Sequence, residues 1–278
     1  MVAFNGGLTE RYGIYSATVI IHTTGLVLIA ILALAKKERP FSKRHAWFLY
    51  LGGAIGVMTT VFNNLSFGRI SVSAILALGL FGQSVTGLVI DQYGLMSMPK
   101  HPFIKRKIMG LLLILGGIAS MISSFETAAV IVSFAAGITI VVSRTLNARL
   151  ADLTSVRTGA LYNYLVGLIV SVPVLIFLGG NEPALTEFAF SPDWYIYFGG
   201  ILGVCVVLLS NITVMKVSAF YLTLLVFIGQ VFSGIMIDAV ISRELSYRNI
   251  AGGALVAAGL CVNLLLDRKK AGQENGQR

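Results

Sequence analysis

Long apolar runs broken by short polar loops recur from one end of the chain to the other. A helix needs about 20 apolar residues to cross a hydrocarbon core about 30 Å thick. Runs of roughly that length lie near 15–35, 47–67, 71–90, 108–123, 128–143, 158–178, 194–214, 218–240 and 250–266. The pattern predicts nine spans. The fourth and fifth are short, separated only by Ser124-Phe125-Glu126-Thr127. No spacer is long enough for a water-soluble domain, so any function must live in or between the helices.

Composition agrees. Of 278 residues 56% are hydrophobic and 12% charged, with a mean hydropathy of +0.85, whereas a soluble domain carries roughly 25% charged residues. Cys205 and Cys261 both fall inside apolar runs, where a buried thiol behaves as a small hydrophobe, so they define no disulfide framework.

The basic residues orient the spans. Lys and Arg are enriched in cytoplasmic loops, and 17 of the 21 lie on alternate sides of the nine spans: Lys36 to Arg44, Lys100 to Lys107, Arg144 to Arg157, Lys216 and the tail from Arg268. The other side holds Arg11, Arg69, Arg243 and Arg248 against seven acids. The N-terminus is therefore expected outside and the C-terminus in the cytoplasm. The net charge of +9 is explained by topology and anionic lipid head groups rather than by nucleic acid.

The chain repeats itself. Trp47-Phe48-Leu49-Tyr50-Leu51-Gly52-Gly53-Ala54-Ile55-Gly56-Val57 aligns with Trp194-Tyr195-Ile196-Tyr197-Phe198-Gly199-Gly200-Ile201-Leu202-Gly203-Val204, a separation of 147 residues. The same separation pairs Asn64 with Asn211, Ser71 with Ser218, Gly82-Gln83 with Gly229-Gln230, Gly87 with Gly234 and Ile90-Asp91 with Ile237-Asp238, giving 14 identities in 45 positions. At 142 residues, Asn5, Gly25 and Gly110 pair with Asn147, Gly167 and Gly252. The second unit has five spans and the first only four, because Asn5 aligns with a residue just after the second unit's first helix. Either the protein lacks that helix or the chain shown starts at an internal methionine, and the second is favoured. Five is odd, so the units insert in opposite orientations. Inverted repeats place equivalent helices around a site near the bilayer midplane, which rocking exposes alternately. The fold expected is an all-α polytopic membrane protein of two inverted five-helix repeats, residues 1–123 and 124–270, with a cytoplasmic tail 271–278.

The polar residues inside the spans are the candidate chemistry. Gln83, Gly87 and Asp91 share one helix face, as do Gln230, Gly234 and Asp238; each Gln lies deep, about 12 Å from its Asp. An amide in hydrocarbon must find a hydrogen bond, so Gln83 and Gln230 are candidate substrate contacts or helix–helix bonds. Asp91 and Asp238 are candidates for gating or proton coupling, or mark the interface. Behind them stand Asn163, Tyr162 and His22, the one histidine within a span. Asn64, Asn211, Ser71 and Ser218 read as caps of tight turns, and the Gly52 and Gly199 small-residue faces as packing surfaces. Pro173 should kink its helix.

There is no Gly-x-x-x-x-Gly-Lys-Ser/Thr, His-Glu-x-x-His or Gly-x-Ser-x-Gly, so ATP, zinc and serine-hydrolase chemistry have no foothold and no enzyme activity or cofactor is expected. No charged residue lies mid-span, which favours a neutral or zwitterionic solute.

Gly82-Gln83 with Gly87 and Ile90-Asp91, then Gly94-Leu95, Pro99, Arg106, Gly110 and Gly117, resemble the YdcZ-type inner-membrane exporters of the drug/metabolite transporter superfamily. The second unit lacks the Gly-Leu and Pro. The resemblance implies a bacterial inner-membrane secondary transporter, presumed an exporter, whose larger relatives have ten helices as two inverted five-helix units. It names no substrate. The function expected is alternating-access export of a small organic solute; a non-transporting membrane scaffold is the alternative. Proton coupling and assembly as a homodimer stay open.

Overall fold

A computed structural model describes residues 1–38, 40, 44–97, 100, 107–121, 126–186, 188–214, 216–217, 222, 226, 229–230, 233–234, 236–237, 240 and 247–275. Its elements are helical. They are α1 (Val2–Tyr12), α2 (Ile14–Ala35), α3 (Leu51–Ser66), α4 (Val72–Tyr93), α5 (Lys107–Met121), α6 (Thr127–Leu153), α7 (Val156–Leu178), the single turn α8 (Pro183–Thr186), α9 (Phe198–Thr213) and α10 (Tyr247–Asn275). Both Trp47–Tyr50 and Trp194–Tyr197 form 3-10 turns leading into α3 and α9. Among the described residues six helices are long and apolar enough to cross a membrane, and Ile108–Gly117 and Ile250–Gly259 are shorter apolar helices.

Several observations refine the sequence reading. The fifth run, expected to end at 143, continues as helix to Leu153 and carries Arg144, Asn147 and Arg149 within it. Residues 2–12, too polar to count as a span, form α1; by the repeat alignment they match the last turns of α6. The eighth run, 218–240, lies largely outside the described residues, as do Ser218, Asp238 and the basic residues Arg39, Lys43, Lys105 and Arg106. Cys205 and Cys261 are exposed on apolar helix faces rather than buried. Pro173 lies inside helix α7.

The chain forms two compact units, residues 1–68 with 135–217, and residues 69–134 with 218–278. In the first unit α2 packs along α7, and α3 and α9 pack against both. Its core joins Leu8, Tyr12, Ala17, Ile21 and Ile196 in one cluster and Ile29, Ala160, Leu161, Tyr164 and Val204 in another. In the second unit α5 lies along α10.

Without an apolar driving force between helices in lipid, close backbone approach at small residues does the joining. These contacts come in pairs at the repeat spacings. A Cβ on Gly52 would stand 2.3 Å from Asn147 Oδ1, and one on Gly199 would collide with Asn5 Oδ1. Gly53 abuts the Asn163 carbonyl and Gly167 nitrogen, while Gly200 abuts the Ile21 carbonyl and Gly25 nitrogen. Gly117 meets the Gly252 carbonyl, and Gly259 meets that of Gly110. Asn64 and Asn211 follow the same rule: Asn64 Nδ2 donates to the Ile14 carbonyl at 3.3 Å and Asn211 Nδ2 to the Val156 carbonyl at 3.1 Å. They therefore clamp the first residue of a neighbouring helix rather than cap their own turns. Ser71 does cap α4, accepting from Ala74 N at 3.2 Å.

These contacts generate a paired expectation. Gly53→Ala places a methyl 2.4 Å from the Asn163 carbonyl; backbone cannot yield as a side-chain tip does, so the cost is about 1–3 kcal/mol. Gly116→Ala meets nothing within 4 Å and gains helix propensity of about 1 kcal/mol. Thermal unfolding in detergent should show a clear drop for the first and no drop for the second.

Candidate functional site

The second unit holds one of the two predicted Gln–Gly–Asp faces in full. Helix α4 is bounded by Ser71 at its start and by Gly94, φ +65, at its end, whose N–H bonds the Ile90 carbonyl. About 67% of its apolar window is buried, against 28–44% for the other long apolar helices, and Ser73, Gln83, Ser84 and Asp91 are among its buried residues. Gln83 and Asp91 are each 3% exposed, with Ser84 and Gly87 also buried on this helix. Both Gln83 and Asp91 are engaged by neighbours. Gln230 is half-buried. Nearby Gly234 lies against α4, where a Cβ would meet Leu76 and the Ser73 backbone. Asp238 is outside the described residues.

The first unit brings Asn163 into a buried polar node between α3, α6 and α7. Asn147 Nδ2 donates to Asn163 Oδ1 at 2.7 Å and to Ser143 Oγ at 3.3 Å. Ser143 Oγ in turn donates to the Gly52 carbonyl at 2.7 Å. All three side chains are buried, and each bond answers a polar group that would cost about 1–3 kcal/mol unpaired. Tyr162 leaves the node for the helix end, donating to the Pro40 carbonyl at 3.2 Å with its ring edge-on to Tyr50. His22 is elsewhere in the unit, at the α2–α7 contact. Its Nδ1 lies 2.8 Å from the Thr18 carbonyl; a carbonyl can only accept, so Nδ1 carries a proton. The ring packs on Gly167 and on Tyr164. The sequence-predicted residues thus fall in three places: Gln83 and Asp91 on α4, Asn163 and Tyr162 on α7, His22 on α2.

Two carboxylates that sequence reading did not single out tie the ends of α2 and α7. Glu182, after α7, accepts from Tyr15 N at 2.8 Å and Ser16 N at 2.7 Å, the free donors in the first turn of α2. A negative charge there also suits the helix dipole. Gly13 precedes that turn with φ +95, and a Cβ on it would strike the Glu182 side chain, so both conformation and space demand glycine. Glu38, after α2, does the reciprocal at α7: it accepts from Ser155 Oγ at 2.6 Å, Thr158 Oγ1 at 3.0 Å and Arg157 Nε at 2.7 Å. Ser155 is itself the cap of α7. Desolvation raises the Glu38 pKa, but the Ser155, Thr158 and Arg157 bonds together outweigh it and hold the carboxyl below its ordinary value of 4.5.

Among the described residues no three metal-ligating side chains cluster. Comparison with known families settles the lineage: residues 1–120 and 128–262 match the family described as "Putative inner membrane exporter, YdcZ". The chain belongs to this family. Membership, with six apolar helices of spanning length among the described residues, makes it a multi-pass inner-membrane protein of a transporter family. No curated protein matches the chain. A solved structure, described only as "Crystal structure of protein", resembles this YdcZ-family chain with a TM-score of 0.64 over 96% of this chain and 95% of that one. At 15% identity that likeness speaks for the fold alone.

The Glu38 contacts predict a pH effect of definite sign. A carboxyl held below 4.5 stabilises the fold fully above that pH, and the contribution disappears as pH falls through the folded-state value. Glu38→Gln should therefore melt lower than the parent at pH 7, and the gap between the two melting temperatures should close on acidification below about pH 4.5. A gap that stays constant to pH 3 would contradict the assignment.

Proposed function

We propose that this YdcZ-family chain is a secondary carrier that exports a small neutral or zwitterionic organic solute by alternating access between two inverted five-helix repeats. The observation that carries the reading is the pairing of contacts: Gly52 with Asn147 and Gly199 with Asn5, Gly53 with α7 and Gly200 with α2. Exchanging the two repeats maps each contact onto the other, which is the relation that a two-fold axis relating the repeats produces. With an odd number of helices per unit, that axis lies in the membrane plane, and the two halves can swap roles between inward- and outward-facing states. The family match in two segments, 1–120 and 128–262, supports the same division. By the repeat alignment α1 corresponds to the end of the second repeat's first helix, α6.

In this reading Gln83 and Gln230 touch the solute with neutral donors and acceptors. Asn163, held in the Ser143–Asn147 node of its own unit, Tyr162 and His22 are further solute-contact candidates. Asp91, near the end of α4, and its repeat counterpart Asp238 serve gating or proton coupling at opposite surfaces. The N-terminus lies outside and the C-terminus in the cytoplasm, with the driving force an ion gradient.

The test compares small-molecule profiles inside and outside cells carrying the chain, an upstream-extended version, and the Gln83→Leu/Gln230→Leu double variant. One solute class should move outward, with loss of at least tenfold in the double variant and collapse on adding a proton uncoupler. If no solute moves in either unmutated version although both reach the membrane, the carrier reading fails.

A further inference from the structure

Helix α3 has three faces, and the third is unaccounted for. Gly53, Val57 and Asn64 are buried, and Gly53 and Asn64 point at α7 and α2 respectively. On the far side Leu51 and Met58 are exposed apolar residues, 38% and 48%, as befits lipid contact. Between these two faces, at the helical spacing i, i+3, i+4, i+7, stand Gly56, Thr59, Thr60 and Asn63, all half-buried. The line runs from the middle of the Trp47–Ser66 span to within a turn of its end. Helix α6 adds half-buried Thr139, whose Oγ1 accepts from Thr59 Oγ1 at 2.8 Å.

Hydroxyls alone do not distinguish lipid from water, because threonines can satisfy themselves on their own helix. Thr60 Oγ1 donates to the Gly56 carbonyl at 3.1 Å, and Thr139 Oγ1 to the Ala136 carbonyl at 2.9 Å. Their lone pairs stay available to accept from a solute. Asn63 differs: its side-chain amide makes no hydrogen bond among the described residues, and an amide facing hydrocarbon costs several kcal/mol. The corresponding positions of α9 are Val206, Val207 and Ser210, so the polar face belongs to one repeat only and is not a requirement of the helix packing that both share.

We propose that Gly56, Thr59, Thr60 and Asn63 of α3, with Thr139 of α6, line a water-filled path running from mid-membrane to one surface, which binds an uncharged solute by hydrogen bonds. The proposal rests on the carrier reading for its purpose, but not for its test. The face offers hydroxyls and an amide and, among its described residues, no charged group. It therefore suits polyhydroxylated or amide-bearing neutral solutes and gives no counter-charge to an ion. At the inner end of the face Gly56 adjoins the Ser143–Asn163 node, a Cβ there standing 3.5 Å from Asn163 Oδ1 and Ser143 Oγ.

Water access is measured without knowing the solute. In a Cys205→Ala/Cys261→Ala background, Thr59→Cys, Thr60→Cys, Asn63→Cys and Met58→Cys are each reacted with a water-soluble maleimide in membrane fragments open on both faces. Each rate is normalised to the same sample after SDS, which exposes every thiol and reports how much protein is present. A thiol reacts as the thiolate, which does not form in lipid. Cysteine at 59, 60 and 63 should react at least tenfold faster than at 58. Labelling at 63 alone, labelling at none of the three, or equal labelling at all four would each overturn the path. A variant absent from the membrane is replaced by its neighbour on the same face, Thr139→Cys. Positive labelling with no measurable export would sink the carrier reading and leave the hydrated face standing; export with no labelling would do the reverse.

Discussion

Helices in a bilayer gain nothing by hiding from a solvent as apolar as they are, so the architecture depends on how closely their backbones can approach. In the first unit that approach occurs at Gly52, Gly53, Gly199 and Gly200, where a methyl group would meet a neighbouring carbonyl, amide or hydroxyl. Once α3 and α9 are seated against α7 and α2 at these points, the register of the other contacts follows. Asn64 and Asn211 reach the first residue of the opposite helix only because the glycines bring the axes near enough. Fit at these points supplies the dispersion contacts that hydrophobic burial supplies in water.

The ends of the helices present the second problem, since each leaves unbonded N–H groups at its start. Here the chain answers with loop carboxylates. Glu182 serves α2 through backbone amides, while Glu38 serves α7 through Ser155, Thr158 and Arg157. The two solutions differ in detail because α7 already has a serine cap and α2 begins at Gly13, which has no side chain to offer. Each helix of the pair is thus fastened by the segment that follows the other, and neither end can fray without loosening its partner.

Much of this was legible in the sequence, and the failures have physical causes. The runs 15–35 and 194–214 become Ile14–Ala35 and Trp194–Thr213, because an apolar run of that length has no other stable form in lipid. The fifth run was drawn too short, since Arg144, Asn147 and Arg149 break its hydropathy while the helix continues to Leu153. Asn147 is tolerated there by its bonds to Ser143 and Asn163, which lie on two helices and leave no local signature. Helix α1 was missed for the same reason: Asn5, Glu10 and Arg11 make it look like loop. The burial of Gln83 followed from its chemistry and depth, but the burial of Asp91, which reads from sequence as a gating residue or an interface marker, did not, nor did the partners of Asn163 or the roles of Glu38 and Glu182. The Glu38 and Glu182 contacts join residues more than a hundred positions apart, the Asn147–Asn163 bond crosses between two helices, and a lone acid in a loop resembles any solvated charge.

The paired turns that open α3 and α9 have a spectroscopic consequence. Trp47 and Trp194 are the chain's two tryptophans, 75% and 68% exposed, each set edge-on to a phenylalanine, Phe48 or Phe198. Neither indole belongs to the packed interior. Intrinsic emission from this protein therefore reports the polarity of whatever surrounds the helix ends, be it head groups or a detergent belt. A change of detergent will shift the spectrum of a fully folded sample, and loss of interior packing will leave it nearly unmoved. The interior has its own chromophores in Tyr12 and Tyr164, 2% and 4% exposed, and their near-ultraviolet dichroism is the optical signal that follows the fold.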